Sequence, residues 1–343
     1  MIAVYFGSLP PYYAAHMESI GANSDVDFLL VTDQSVVDPP PNLHIRRTTW
    51  GDFQRKVHVA LGEQTRLDRP YKVCDFRPAF GRLFADELAE YDFWGHHDLD
   101  VIFGRIRHFI TDEVMSAHDK ILVRGNFSLY RNTDRINGLF ESRPDIVDWR
   151  VVFSSVDAEH FDEWPGIFRI ATAQGVSVWN PDIIFDLDPY HFRTRANGSA
   201  NGFHRYSVVE GSVIEESANG FREGLLIHFQ KRPMGDFRKR QAPWGTGGAG
   251  DTGTGKGVDY TVSSDGLYSA GDDGRKAFPN AEWIRYSSRT RLNRARSFLS
   301  RCVQSMAGAT LLITARVKGR WGPAGRREPA SGQVRARGGS PQP

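Results

Sequence analysis

Cysteine is scarce in this chain of 343 residues. Cys74 and Cys302 are the only two, and they stand far apart in dissimilar surroundings. Neither a disulfide framework nor a thiolate metal site is expected from them, and a reducing compartment suits such a chain. Long hydrophobic runs are missing as well. No stretch approaches the roughly 20 apolar residues of a membrane span. The first residues run straight into an apolar segment, Ile2 to Phe6, without a basic region or a small-residue cleavage site, so no secretory signal is expected. Acidic residues are almost absent from one region only. Residues 283–343 hold 13 Lys/Arg against the single acid Glu328, which leaves 30 basic and 40 acidic residues before them. A net charge of +2 therefore conceals an acidic body and a basic tail. The body is not expected to bind nucleic acid, while the tail is suited to peripheral contact with an anionic membrane.

Hydrophobic residues make up 40% of the sequence, enough for a substantial core. Ile2-Ala3-Val4-Tyr5-Phe6 and Phe28-Leu29-Leu30-Val31-Thr32-Asp33 are continuous apolar runs of the kind found in parallel strands covered on both faces, and Leu43 to Ile45 is a third candidate. Helical spacing follows the first run to about Ile20. It returns from Trp50 to Leu61 (Phe53, Val57, Leu61) and from Phe76 to Leu88. Strands are expected at 120–123, 125–132 and 224–229, short helices at 106–115 and 133–140, and an irregular region over residues 141–210. This alternation predicts an open α/β sheet, which binds ligands beyond the C-terminal ends of its strands. Asp33 would stand at that edge as a nucleoside contact. After Met234 the composition changes. Residues 235–281, with the Gly/Thr-rich run Gly245 to Gly257, read as a linker, 282–320 as a basic helical segment, and 321–343 as a disordered tail.

The segment Tyr91 to Gly104 places His96, His97, Asp98 and Asp100 inside an apolar strand, where such groups are costly unless compensated. A divalent cation is the simplest compensation. Asp98 and Asp100 at i and i+2 would share one face of an extended chain, and two hard oxygen ligands suit Mg²⁺ or Mn²⁺. Upstream, Lys72 and Arg77 lie near the start of the helix expected from Phe76, where with backbone N–H groups they would clamp a phosphate. Downstream, His228 could complete the metal shell and Lys231 could meet the phosphate directly.

Three segments carry a family resemblance: Tyr71 to Gly81 (YKVCDFRPAFG), Tyr91 to Gly104 (YDFWGHHDLDVIFG) and Phe127 to Asn132 (FSLYRN). Over residues 1–234 the chain resembles glycosyltransferases of the GT-A fold, most closely an uncharacterised bacterial family associated with capsular or other surface polysaccharides. Ile227 to Met234 (IHFQKRPM) is similar to the His-x-x-Gly-x-x-Lys-Pro-Trp closing motif of glycogenin-like transferases. The motif glycine is absent here, and Arg232 rather than Lys precedes Pro233. The resemblance implies a Rossmann-like, mixed and mostly parallel sheet with flanking helices. It also implies a nucleotide-sugar donor, with UDP as the carrier, and Mn²⁺ or Mg²⁺ held by Asp98, Asp100 and His228. Transfer would be to a hydroxyl of a surface glycan or lipid-linked acceptor, in the cytoplasm or at the inner face of the membrane.

Rival readings stay open at this level. One is a metal-dependent hydrolase built on His96, His97, Asp98 and Asp100, and another is a non-catalytic nucleotide-sugar-binding component of a polysaccharide assembly complex. If the reaction inverts configuration, a carboxylate must serve as base. Asp182, Asp186 and Asp188 are candidates for that role, with Glu159 and Asp162 in the same part of the chain, and nothing in the sequence ranks them.

Overall fold

Four consecutive parallel strands build the half of the main sheet that the continuous apolar runs foretell. They are β1 (Ile2–Tyr5), β2 (Phe28–Thr32), β3 (Leu43–Arg47) and β4 (Phe93–His97). The computed structural model describes residues 1–10, 12–187, 196, 204–217, 219–230, 260–262 and 267–269. All of them belong to the first of two compact units, Met1–Ser287 and Ser288–Pro343. Lys231, Asp188 and the basic segment and tail expected over 282–343 lie outside the described residues.

Beyond β4 the chain forms β5 (Val101–Phe103), β6 (Lys120–Arg124), β7 (Phe127–Arg131), β8 (Val178–Trp179) and β9 (Ile184–Asp186). The main sheet has seven strands in the order β3-β2-β1-β4-β7-β6-β8. Every adjacent pairing is parallel except the two made by β7, so one strand runs against six. The fold is therefore mixed α/β, with a mostly parallel sheet.

Helices cover both faces of this sheet. α1 (Tyr13–Gly21) buries Tyr13 and Ile20 in a core shared with Ala3, Phe28 and Leu30. On the other face α2 (Trp50–Leu61) buries Phe53, Val57 and Leu61 with Ile2, Val31 and Trp94. Its helical period is the one read from the sequence, and both of its ends carry capping residues. Thr49 caps the start by accepting from the Asp52 backbone N–H at 3.1 Å, and Gly62 leaves the end at φ +103°.

The helix expected as one piece from Phe76 to Leu88 is instead broken. A 3₁₀ stretch spans Pro70–Ala79, followed by the short turns Phe80–Leu83 and Ala85–Leu88. Pro78 has no N–H to give an α-helical ladder, and Phe84 at φ −121°, ψ 29° interrupts the rest.

A second sheet is an antiparallel meander of β10 (His204–Val209), β11 (Ser212–Ser217) and β12 (Gly220–Gly224). It is extended by β14 (Tyr260–Val262) and β15 (Leu267–Ser269), with Tyr206 opposite Val262. Those two strands fall inside the span expected as linker. Their Tyr-Thr-Val and Leu-Tyr-Ser sequences have the aromatic and β-branched content that a ladder accepts, unlike the Gly-rich run before them. A third sheet sets β13 (Leu226–His228) between β5, antiparallel, and β9, parallel.

Gly95 sits where β4 meets β7, and a Cβ there would overlap the carbonyl oxygen of Ser128. Because that neighbour is backbone, it cannot rotate away. We expect Gly95→Ala to lower stability by about 1–3 kcal/mol in urea unfolding.

Candidate functional site

Between β4 and β5 the chain bends, and this bend carries the acidic pair. Asp98 and Asp100 do not lie on one extended strand as the spacing suggested. They leave a turn in which Leu99 points into the core. The turn is pinned from two sides: the Asp98 N–H donates to Asn126 O at 3.1 Å, and the Phe229 N–H donates to Asp100 O at 2.9 Å. The second bond follows from the pairing of β13 with β5, which sets His228 opposite Val101. His228 Nε2 then lies 3.4 Å from Asp100 Oδ1 and 3.8 Å from Asp98 Oδ2. One donor atom from each of the three residues falls within a 4.8 Å span.

The remaining nitrogen of His228 is held from behind. Its Nδ1 is 2.6 Å from Asp186 Oδ1, which the parallel register of β9 with β13 places alongside, and 2.8 Å from the Asn126 amide. A carboxylate on Nδ1 fixes the tautomer that presents the Nε2 lone pair to a metal. Asp186, a candidate base in the sequence, therefore acts on the imidazole in this geometry. Asn126 is not among the site residues expected from the sequence. It comes from the two-residue turn Gly125-Asn126 between β6 and β7, beside a bulge where Leu122 has φ +61° and Ser128 Oγ donates to the carbonyls of Leu122 and Arg124.

Arg77 is in the site, and Lys72 is not. The Arg77 guanidinium reaches Asp98 through Nη2, and through Nη1 it donates to Asp162 Oδ2 at 2.8 Å and Gly125 O at 2.6 Å. Burial opposes its charge, but Asp98 and Asp162 hold it firmly protonated. Asp162 is fully buried. Burial pushes its carboxyl up to about 7, against the pull of Arg77. Lys72, expected at a phosphate, is 1% exposed and directed inward. Its Nζ donates to Asp75 Oδ2 at 2.7 Å, Val152 O at 2.8 Å and Asp157 O at 2.5 Å. Three acceptors in a dry pocket leave that ammonium nothing to offer a ligand.

The histidines of β4 lie outside the acidic cluster. The His96 ring is enclosed within the sheet, and burial together with Arg77 and Lys120 keeps it well below its usual pKa range. His97 packs among His16, Phe28 and Phe103, with Nδ1 3.0 Å from the Asp98 carbonyl. A compact four-residue cluster of His96, His97, Asp98 and Asp100 is thus not formed. Asp182 is an exposed partner of Arg222 at 3.1 Å, and Glu159 accepts from Ser155 Oγ at 2.9 Å. Asp33 follows β2 on the C-terminal edge as expected, taking the Gly7 N–H at 3.2 Å and the Gln34 amide at 2.8 Å. Tyr5 and Tyr12, which sequence reasoning missed, flank the acidic turn. Burial first, and Asp100 second, raise both phenols above their ordinary pKa. Their apolar neighbours in sequence gave no polar signal.

Among the described residues no helix is long and apolar enough to cross a membrane. Residues 1–244 match the model of a family described as a family of unknown function, DUF6625. No curated protein matches the chain.

Burial disfavours the imidazolium of His228, but Asp100, by charge and hydrogen bond, and Asp186 together raise it from 6.5 to about 10. A raised folded-state pKa stabilises the metal-free chain fully below the unfolded value of 6.5, and that contribution is lost as pH rises through about 10. The difference in melting temperature between the chelator-treated protein and its His228→Gln variant should accordingly shrink between pH 7 and pH 10. Asp186→Asn should weaken divalent-metal binding about 10–100-fold, read by calorimetric titration, by removing the group that orients the imidazole.

Proposed function

The chain belongs to the DUF6625 family, and we propose that it is a metal-dependent glycosyltransferase of the GT-A type. It would move a sugar from a nucleotide diphosphate donor, most simply a UDP-sugar, to a hydroxyl of a surface glycan or lipid-linked acceptor. One observation carries the reading. Asp98 and Asp100 converge with His228, more than a hundred residues further on, within 4.8 Å beside the C-terminal end of β4, the edge at which open α/β sheets receive ligands. A sheet with six strands running one way and one reversed fits the same reading.

The donor set fits a hard divalent cation. Two carboxylates and one imidazole match Mn²⁺ or Mg²⁺, and Nδ1 of His228 is already engaged by Asp186, so Nε2 is the ligand atom. When bound, such a cation supplies positive charge to the diphosphate leaving group. Asp98, Asp100 and His228 would hold it. With Asp98 engaged by a cation, Nη2 of Arg77 would be free to meet a phosphate oxygen, while Nη1 is anchored on Asp162 and Gly125 O. Asp33, at the end of β2, stands ready to meet the nucleoside. A positive group prepositioned on the departing phosphates needs little reorganisation as the glycosidic bond breaks.

Asp100→Asn tests this. In the unchanged chain UDP with Mn²⁺ should raise the melting temperature more than either alone, since both bind only the folded state. The variant should fold, lose that joint shift, and release UDP from the donor at least about 100-fold more slowly in the presence of acceptor glycan. A variant that keeps the joint shift and the rate would overturn the assignment. A shift without turnover on any glycan acceptor would favour a binding component over an enzyme.

A further inference from the structure

Cys74, His160 and Asp162 come from two segments some 85 residues apart, yet one ligand atom from each lies within a second 4.8 Å span. None of the three belongs to the acidic turn or to His228. We propose that they form a site for a thiophilic divalent cation, Zn²⁺, independent of the glycosyl-transfer reading.

The site is built by a buried polar clamp. Asp75, next to Cys74, is wholly buried, and its carboxylate accepts the backbone N–H groups of Glu159 (2.9 Å) and Phe161 (2.9 Å), the two residues that flank His160. Lys72 tightens the same clamp by bonding both Asp75 and the Asp157 carbonyl. The 157–161 segment is thereby locked over the 3₁₀ stretch that carries Cys74. His160 is held there at φ +54°, in the left-handed region where His, Asn and Asp are the side chains most often found besides glycine. Its side chain is exposed, which gives an entering ion a path and leaves a position for water.

A second observation points to a ligand. Asp162 is 1% exposed, and while Oδ2 is taken by Arg77, Oδ1 is buried with no hydrogen-bond partner. An unmatched buried carboxylate oxygen is costly, and a cation removes that cost. The donor types choose the metal. Thiolate, imidazole and carboxylate with an open fourth position form a Zn²⁺ set, whereas the oxygen-dominated group at Asp98 and Asp100 favours Mg²⁺ or Mn²⁺. A tetrahedral Zn²⁺ shell with bonds of about 2.0–2.3 Å sets its donors about 3.5 Å apart, inside the 4.8 Å span of the three ligand atoms. The Cys74 thiolate and the Asp162 carboxylate together match the charge of a dication, with the thiol proton released to solvent on binding.

The full chain, stripped with chelator and kept in excess Mg²⁺ to occupy the first site, should bind one Zn²⁺ and melt at a higher temperature with it. Co²⁺ used as a probe should show a thiolate-to-metal charge-transfer band. Cys74→Ser should abolish the band, and His160→Ala, whose side chain is exposed and whose loss leaves the clamp intact, should lower Zn²⁺ affinity at least tenfold. Cys302→Ser and Asp100→Asn should keep both band and affinity. Absence of the band, its persistence in Cys74→Ser, its loss in Cys302→Ser, or an unchanged affinity in His160→Ala would overturn the site.

Discussion

The register of one three-residue strand holds the site together. β13 pairs with β5 on one side and β9 on the other, which sets His228 opposite Val101 and beside Asp186. Side chains alternate along a strand, so a slip of one residue would turn the imidazole to the opposite face and bring Ile227 or Phe229 to the carboxylates. Leu226, Ile227 and Phe229 are all fully buried, so both faces of the strand are packed around the one polar side chain it carries. Apolar packing thus accompanies a chain closure over more than a hundred residues, and the polar group it delivers keeps only 13% of its side chain exposed.

Arg77 is the joint between this centre and its surroundings. It bridges Asp98 and Asp162, and its second guanidinium nitrogen also reaches the carbonyl of the Gly125-Asn126 turn. That turn has little room. A Cβ on Gly125 would stand 2.5 Å from Glu163 Oε1 and 3.1 Å from Asp162 Oδ2. Glycine at this position lets backbone, guanidinium and carboxylates share a space that any other residue would fill. The clamp of Lys72 and Asp75 is wholly buried, and its cost of burial is offset by hydrogen bonds to four backbone groups, the carbonyls of Val152 and Asp157 and the N–H groups of Glu159 and Phe161.

Much of the core architecture was legible in order of residues. Continuous apolar runs marked β1 and β2 because both faces of those strands are covered, and the 3.6-residue period of Phe53, Val57 and Leu61 marked α2 because only one of its faces is. Asp98 and Asp100 stood out as charge inside an apolar run. Where the reading failed, a local pattern was overridden. The period from Phe76 to Leu88 resembled one helix, but Pro78 and the Phe84 backbone broke it. Lys72 looked like a phosphate ligand because a sequence does not show which way a long side chain turns.

The sequence by itself determined which residues could bind metal, since carboxylate and imidazole chemistry is intrinsic to residue type, and it determined which runs must be buried, since periodicity is local. Only the tertiary structure decided who meets whom. The meeting of His228 with Asp100, of Asp186 with His228, and of Cys74 with His160 and Asp162 depends on strand order and register. Those are set by the packing of the whole chain, and no window of neighbouring residues contains them.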